Sequence, residues 1–110
     1  MIYIASPYSH PDSRIRWRRY RQVRAHVATL IARGLFPYSP VVHNHHVANH
    51  HELPVTFAFW EEFDLHMLSL ADSLHVYELD GWQTSSGVAE EMRWWELNRP
   101  GRAIVHTGPL

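Results

Sequence analysis

Short apolar strands alternate along this chain with longer stretches of helical spacing, and that alternation constrains the fold more than any other feature. Ile2-Tyr3-Ile4-Ala5 is a β-rich run stopped by Ser6-Pro7-Tyr8-Ser9. From Asp12 to Arg33 the apolar residues Ile15, Tyr20, Val23, Val27, Leu30 and Ile31 recur at helical intervals, and Gly34 stands where a C-terminal cap belongs. Leu35-Phe36-Pro37-Tyr38 reads as a second strand. The stretch Ser39 to Pro54, crowded with His and Asn, has no usable period and reads as a long loop. A second helix is expected from about Val55 to Ala71, with Trp60, Phe63, Met67 and Leu70 as its apolar face. Ser73 to Leu79 reads as a strand, Asp80 to Gly87 as a turn, Val88 to Asn98 as a third helix and Ala103-Ile104-Val105 as a last strand. Strands separated by helices imply βαβ units. The expectation is therefore one α/β domain over residues 1–110, three-layered, with a mainly parallel sheet in a Rossmann-like or flavodoxin-like arrangement.

Composition narrows the function classes. At 110 residues and 45% hydrophobic, the chain can bury a core of its own. No apolar run approaches the roughly 18 residues of a membrane span, so no membrane partner is expected. The N-terminal MIYIASPY lacks the basic region and long apolar core of a signal peptide, which makes a cytoplasmic setting the default expectation. There is no cysteine, hence no thiolate nucleophile and no Cys-type zinc site. All ten basic residues are Arg, seven of them within residues 1–40 against the single acid Asp12, while residues 41–110 hold three Arg against ten acids. Arg14, Arg18 and Arg21 form a basic stripe on the first helix. A helix packed on a sheet normally turns such a stripe to solvent, so nucleic-acid binding is disfavoured.

In sheets of this kind ligands bind beyond the carboxyl ends of the strands. The loops there, Ser6–Pro11, Ser39–Pro54 and Asp80–Gly87, contain most of the unusual chemistry. Ser85-Ser86-Gly87 at the mouth of a helix offers hydroxyls, free N–H groups and a positive helix end to an anion, or simply a cap to the helix. Glu90 and Glu91 are expected in the first turn of that helix; adjacent helical residues diverge by about 100°, so only one can point into a given pocket. Asp64, four residues after Trp60 and four before Leu68, borders a buried face, where an acid is costly unless paired or used. If both helices aim at the same strand ends, Asp64 and one of the two glutamates can converge as a carboxylate pair suited to glycosidic chemistry. Tyr3 is core by default, although its hydroxyl at a strand end could reach a ligand. His43, His45, His46, His50 and His51 suggest metal at first sight, but adjacent loop histidines without Cys rarely share one ion, and substrate contacts by one or two of them, or packing, are the favoured readings. No metal and no cofactor is expected.

Taken together, MIYIASPYS, YSPVVHNHHVA, FWEEFDLHMLSLADSLHVYELDGW and SSGVAEE resemble a small phage and bacterial family of unknown function related to nucleoside 2-deoxyribosyltransferases and 2′-deoxynucleoside 5′-monophosphate N-glycosidases. The resemblance implies Glu91, four residues after Gly87, as nucleophile; Asp64 as partner acid; and Tyr3 as the first-strand tyrosine that positions the nucleophile. It implies Ser85 as a phosphate-binding serine, with Gly87, Ser6, Ser9, His43 and His45 as further substrate-binding candidates. The expected activity is hydrolysis of, or base exchange at, the N-glycosidic bond of a 2′-deoxynucleoside 5′-monophosphate. A nucleoside 2-deoxyribosyltransferase or a non-catalytic nucleotide-binding module are the alternatives. Where the monophosphate hydrolases carry Gly-Ser-x-Arg after the first strand, this chain has Ser6-Pro7-Tyr8-Ser9, leaving Arg14 or a loop histidine to supply a cation. The resemblance also implies a homodimer, and the small size suggests that a partner subunit completes the site.

Overall fold

A computed structural model of the chain describes residues 1–109. Four parallel strands, β1 (Ile2–Ala5), β2 (Pro37–Tyr38), β3 (Ser73–Tyr77) and β4 (Val105–Thr107), lie in the order β2-β1-β3-β4. Between them run α1 (Ser13–Ala32), α2 (Pro40–His50), α3 (Phe57–Ser69) and α4 (Ser86–Asn98). This is the expected three-layer, Rossmann-like α/β fold. Its Cα radius of gyration, 13.1 Å, is that of one domain of this length. No helix among the described residues is long and apolar enough to cross a membrane.

The period-two alternation of the strands sorts the core into two layers. Tyr3 and Ala5 of β1 and Leu74 and Val76 of β3 face α3 and α4, meeting Leu68, Val88 and the fully buried Trp95. Ile4 and Tyr77 face the other way, onto Tyr20, Val23 and Leu30 of α1 and Val41 of α2. The charged side of α1, including Arg14, Arg18 and Arg21, is exposed.

One element and several boundaries differ from the sequence reading, α3 among them, which stops two residues short of each expected end. The expected loop over 39–54 contains α2. Ser39 caps it by accepting from the Val42 N–H at 3.1 Å, and Pro40 occupies the first turn, where its missing N–H costs nothing. Beyond Pro40 the buried residues of α2 are Val41, Asn44, His45 and Ala48, a helical spacing hidden because Asn44 and His45 are polar. β2 begins only at Pro37, because the Leu35 N–H is spent on the Leu30 carbonyl in the α1 terminator, where Gly34 adopts φ 81°. β3 stops at Tyr77, with the Leu79 N–H turning back to the Tyr77 carbonyl. α4 starts at Ser86 rather than Val88 because Ser85 is its cap. β4 lies two residues later than expected: Trp95 Nε1 holds the Arg102 carbonyl at 3.1 Å and ties that stretch to α4 before pairing with β3 begins. On α3 the buried face is Asp64 and Leu68, whereas Phe63 and Leu70, expected inside, are 42% and 60% exposed.

Candidate active site

The connection leaving β1 carries the chain to β2 at one side of the sheet, while that leaving β3 carries it to β4 at the other. Between these diverging loops lies the crevice where ligands of open α/β sheets bind. An open cleft with about 750 Å³ of empty space, counting its mouth, occupies this place. Asp64, Glu91, Asn44 and Ser6 are its buried polar members, Tyr8, Phe57 and Trp60 its aromatic ones, and Thr84 to Gly87 open onto it from the start of α4.

Glu91 and Asp64 reach the cleft from two helices on the same sheet face. α4 begins at the carboxyl end of β3, so its second turn points Glu91 inward to 3% exposure, while Glu90 turns away to pair with Arg93 at 3.0 Å. The choice between the two glutamates is thus made by helix phase. Tyr3, on the β1 face that meets α4, donates its hydroxyl to Glu91 Oε2. Asp64 is 5% exposed and accepts from Asn44 Nδ2 at 2.9 Å. Burial pushes the Glu91 carboxyl up to about 8; the Tyr3 hydrogen bond opposes this and the nearby Asp64 charge adds to it. Burial pushes Asp64 up to about 6, with the Asn44 hydrogen bond and the His43 charge opposing. Tyr3 itself is held well above its usual range by burial and then by the Glu91 and Asp64 charges, so it stays a hydrogen-bond donor. Burial in one cleft therefore holds both carboxyl groups above the ordinary carboxylate range.

At the mouth, Ser85 Oγ caps α4 by accepting from the Val88 N–H at 3.3 Å. The first N–H groups of a helix have no intrahelical partner, so those of Ser86 and Gly87 are open to a ligand. Gly87 packs closely: a Cβ there would lie 3.0 Å from Phe57 Cδ1, so Phe57 would have to give by a few tenths of an ångström. Ser6 Oγ is buried without a hydrogen-bond partner among the described residues, a donor waiting for a group that enters the cleft. Ser9 lines the cleft and donates to the Val55 carbonyl at 3.2 Å. Behind this loop Arg19 donates to the Ser9 carbonyl at 3.1 Å and the Asp80 carbonyl at 3.3 Å, tying the two diverging loops together. Gly81, at φ 94°, leaves room for that guanidinium.

The structure thus gathers Glu91, Asp64, Ser6, Ser9, Ser85 and Gly87 around one cleft, with Tyr3 directly behind Glu91. His43 and His45 do not line it. His43 stacks on Phe63, with 5.2 Å between ring centroids, and bonds Asn44; His45 is enclosed by Tyr8, Trp17 and Tyr20. Arg14, the other suggested cation, is spent on Asp12 at 2.9 Å at the start of α1. Among the described residues no Arg or His lines the cleft. Sequence reasoning missed Asn44 and Tyr38. The signal for Asn44 was the Ser39-Pro40 helix start, which sets the phase of α2; Tyr38, opposite Tyr3 in register, has a buried hydroxyl without a partner among the described residues.

Residues 1–106 match the family described as a domain of unknown function, DUF1937. The chain belongs to that family. No curated protein matches the chain. The family description assigns no chemistry, so a functional reading has to come from the cleft, and the matched span contains every residue of it.

Proposed function

We propose that the chain cleaves the N-glycosidic bond of a 2′-deoxynucleoside 5′-monophosphate by hydrolysis or base exchange, with Glu91 as nucleophile and Asp64 as acid. The observation that carries this reading is the buried Tyr3–Glu91 hydrogen bond beside Asp64 at the sheet's switch point: a carboxyl oriented by a hydroxyl donor with a second carboxyl next to it, both pushed up by burial. The spacing of Asp64, Ser85-Ser86-Gly87 and Glu91, which resembles that of deoxyribosyltransferases, points the same way.

In this mechanism Glu91 attacks C1′ as the bond to the base breaks, and the proton on Asp64 goes to the departing base. A glycosyl ester remains. Water then attacks C1′, giving its proton to Asp64 and releasing Glu91; in the exchange version a second base attacks instead. Burial in the free protein favours the proton on Glu91, but positive charge developing at C1′ stabilises ionised Glu91 and leaves the proton to Asp64. The Tyr3 hydroxyl stabilises the same ionised form. The singly protonated pair is the active state, so kcat/KM is expected to follow a bell with limbs near pH 6 and pH 8.

Ser85, Ser86 and the open N–H groups of α4 are the groups for a 5′-phosphate, and Ser6 is a donor for the sugar or its phosphate. One observation favours a second reading. A cleft with two carboxyls and no cationic side chain among the described residues also suits a neutral deoxynucleoside, the substrate of a deoxyribosyltransferase.

Incubation with each deoxynucleoside and each 5′-monophosphate, with and without a second free base, and chromatography for released or exchanged base separates these readings. Release from monophosphates alone supports the leading one. Release or exchange from nucleosides alone replaces it with the second. Saturable binding by calorimetry without turnover would reduce the site to a nucleotide-binding module, and absence of both overturns the assignment.

A further inference from the structure

The helix that the sequence hid brings a residue to the acid of the pair. α2 packs against α1, and two of its successive side chains reach across to α3, forming a chain of hydrogen bonds that ends on Asp64. His43 Nδ1 lies 2.6 Å from Asn44 Oδ1, and Asn44 Nδ2 donates to Asp64 Oδ1 at 2.9 Å. The direction of this chain follows from its chemistry. Asp64 offers only acceptors when ionised, so the Asn44 amide must present its NH₂ to the carboxylate and its carbonyl oxygen to His43. His43 then carries its proton on Nδ1, in the neutral as in the charged ring. Every dipole in the chain points its positive end at Asp64.

We propose that Asn44 is a positioning residue acting through Asp64, with His43 as its support: the relay occupies Asp64 Oδ1, so the proton that Asp64 delivers resides on Oδ2. A carboxyl with two free oxygens offers its proton at either position and in either orientation. One pinned by a buried amide offers a single oxygen. Asn44 is itself 92% removed from solvent and lines the cleft, while His43 is held by its stack on Phe63, so both members are anchored independently of any ligand. The other titratable groups facing Asp64 are Glu91 from α4, Tyr3 from β1 and Tyr38 from β2; each gains from a neutral Asp64, and of the neighbours only the α2 relay stabilises its charge. The relay therefore sets how readily the acid gives its proton up. It also explains how a histidine of the cluster can matter to the site without lining it.

The proposal rests on Asp64 being the acid of the proposed reaction, and its test has one arm that needs no activity. The Asp64 carboxyl is titrated by ¹³C NMR in the wild type, in Asn44→Leu, which keeps volume but has no donor, in Asn44→Gln, which keeps the amide, and in His43→Phe, which keeps the stack. A carboxylate that loses a hydrogen bond to its charged form titrates higher. The Asp64 midpoint is expected to rise by about one pH unit in Asn44→Leu. It should return part-way in Asn44→Gln and rise by a smaller amount in His43→Phe. The low-pH limb of kcat/KM should move with it, while KM stays within about twofold. An unmoved Asp64 midpoint in both Asn44→Leu and His43→Phe, with native amide spectra, overturns the relay. Should Asn44→Leu lose the native spectrum, His43→Phe and Asn44→Gln decide the question alone. Absence of base release from the wild type would overturn the functional reading and leave the NMR arm to judge the relay by itself.

Discussion

The two faces of the sheet bury titratable groups in opposite ways. Against α3 and α4 the buried groups are acids, and they border an open cleft. Against α1 and α2 they are histidines, His45 fully buried and His26 half-buried. His26 stacks flat on Tyr77 with 4.0 Å between ring centroids, and His45 sits 1% exposed between Trp17 and Tyr20, its Nδ1 2.5 Å from the Tyr8 hydroxyl. Burial disfavours the charged form in both places, so it pushes the acids up and the bases down: Glu91 to about 8, His45 to about 4. For His45 the neighbouring His46, Arg16 and His50 charges add to the burial. The lesson lies in what each neutral group can still do. A neutral histidine in a closed aromatic seam is a packing unit, whereas a protonated carboxyl beside an open cleft is a proton donor.

This contrast also splits the pH dependence of stability. Glu91 binds its proton more tightly folded than unfolded, so its contribution is fully present below about pH 4.5 and is lost as pH rises through about 8. His45 binds its proton less tightly folded, so its contribution is present above about 6.5 and is lost as pH falls toward about 4. Changing one face should flatten one limb only.

The largest expected effect comes from Glu91→Gln. It should abolish base release by at least about 10³-fold, while raising the unfolding free energy at pH 8 by roughly 4 kcal/mol and leaving it nearly unchanged at pH 4. Activity assays beside denaturant titrations at the two pH values measure both, and a variant that is less stable at pH 8 would break the comparison. Next is His45→Phe, on the closed face. The loss of stability between pH 7 and pH 5 should shrink by about 1–2 kcal/mol, with the bell-shaped activity profile unmoved; thermal unfolding across that range checks it. An activity limb that follows His45 would instead join the two faces into one functional unit. The smallest effect belongs to Gly87→Ala. Its Cβ must displace Phe57, so KM should rise a few-fold at nearly constant kcat, with about 1 kcal/mol of lost stability. An unchanged KM would mean that Phe57 takes no part in holding substrate.

Much of this architecture is legible in local pattern. β1 matches the sequence reading residue for residue, and α1 announces itself by its spacing and by Gly34. Asp64 stood out as an acid on a buried face, because cost on burial is a property of the residue type and its helical phase. α2 did not stand out. Its inward face is Val41, Asn44, His45 and Ala48, and polar residues that find their partners only in the folded chain cannot register as a hydrophobic stripe. The apolar face expected of α3 failed for the complementary reason: Phe63 stacks on His43 of α2 at the surface, a partner invisible from within its own helix.

By itself the sequence determined the βαβ succession, and with it the parallel sheet and the sites of its carboxyl-end loops, because strand and helix periods and their punctuation are local. It also determined the candidate acids, since few residue types can do this chemistry in a chain without cysteine. Only the tertiary structure decided that Glu91 rather than Glu90 turns inward onto the Tyr3 hydroxyl, that Asn44 meets Asp64, and that the histidines form a helix and a packed seam rather than a loop over the cleft. Those outcomes depend on which elements lie side by side across 20 to 88 residues of chain. The desolvation that raises these carboxyls above their ordinary range arises only when the layers close around them.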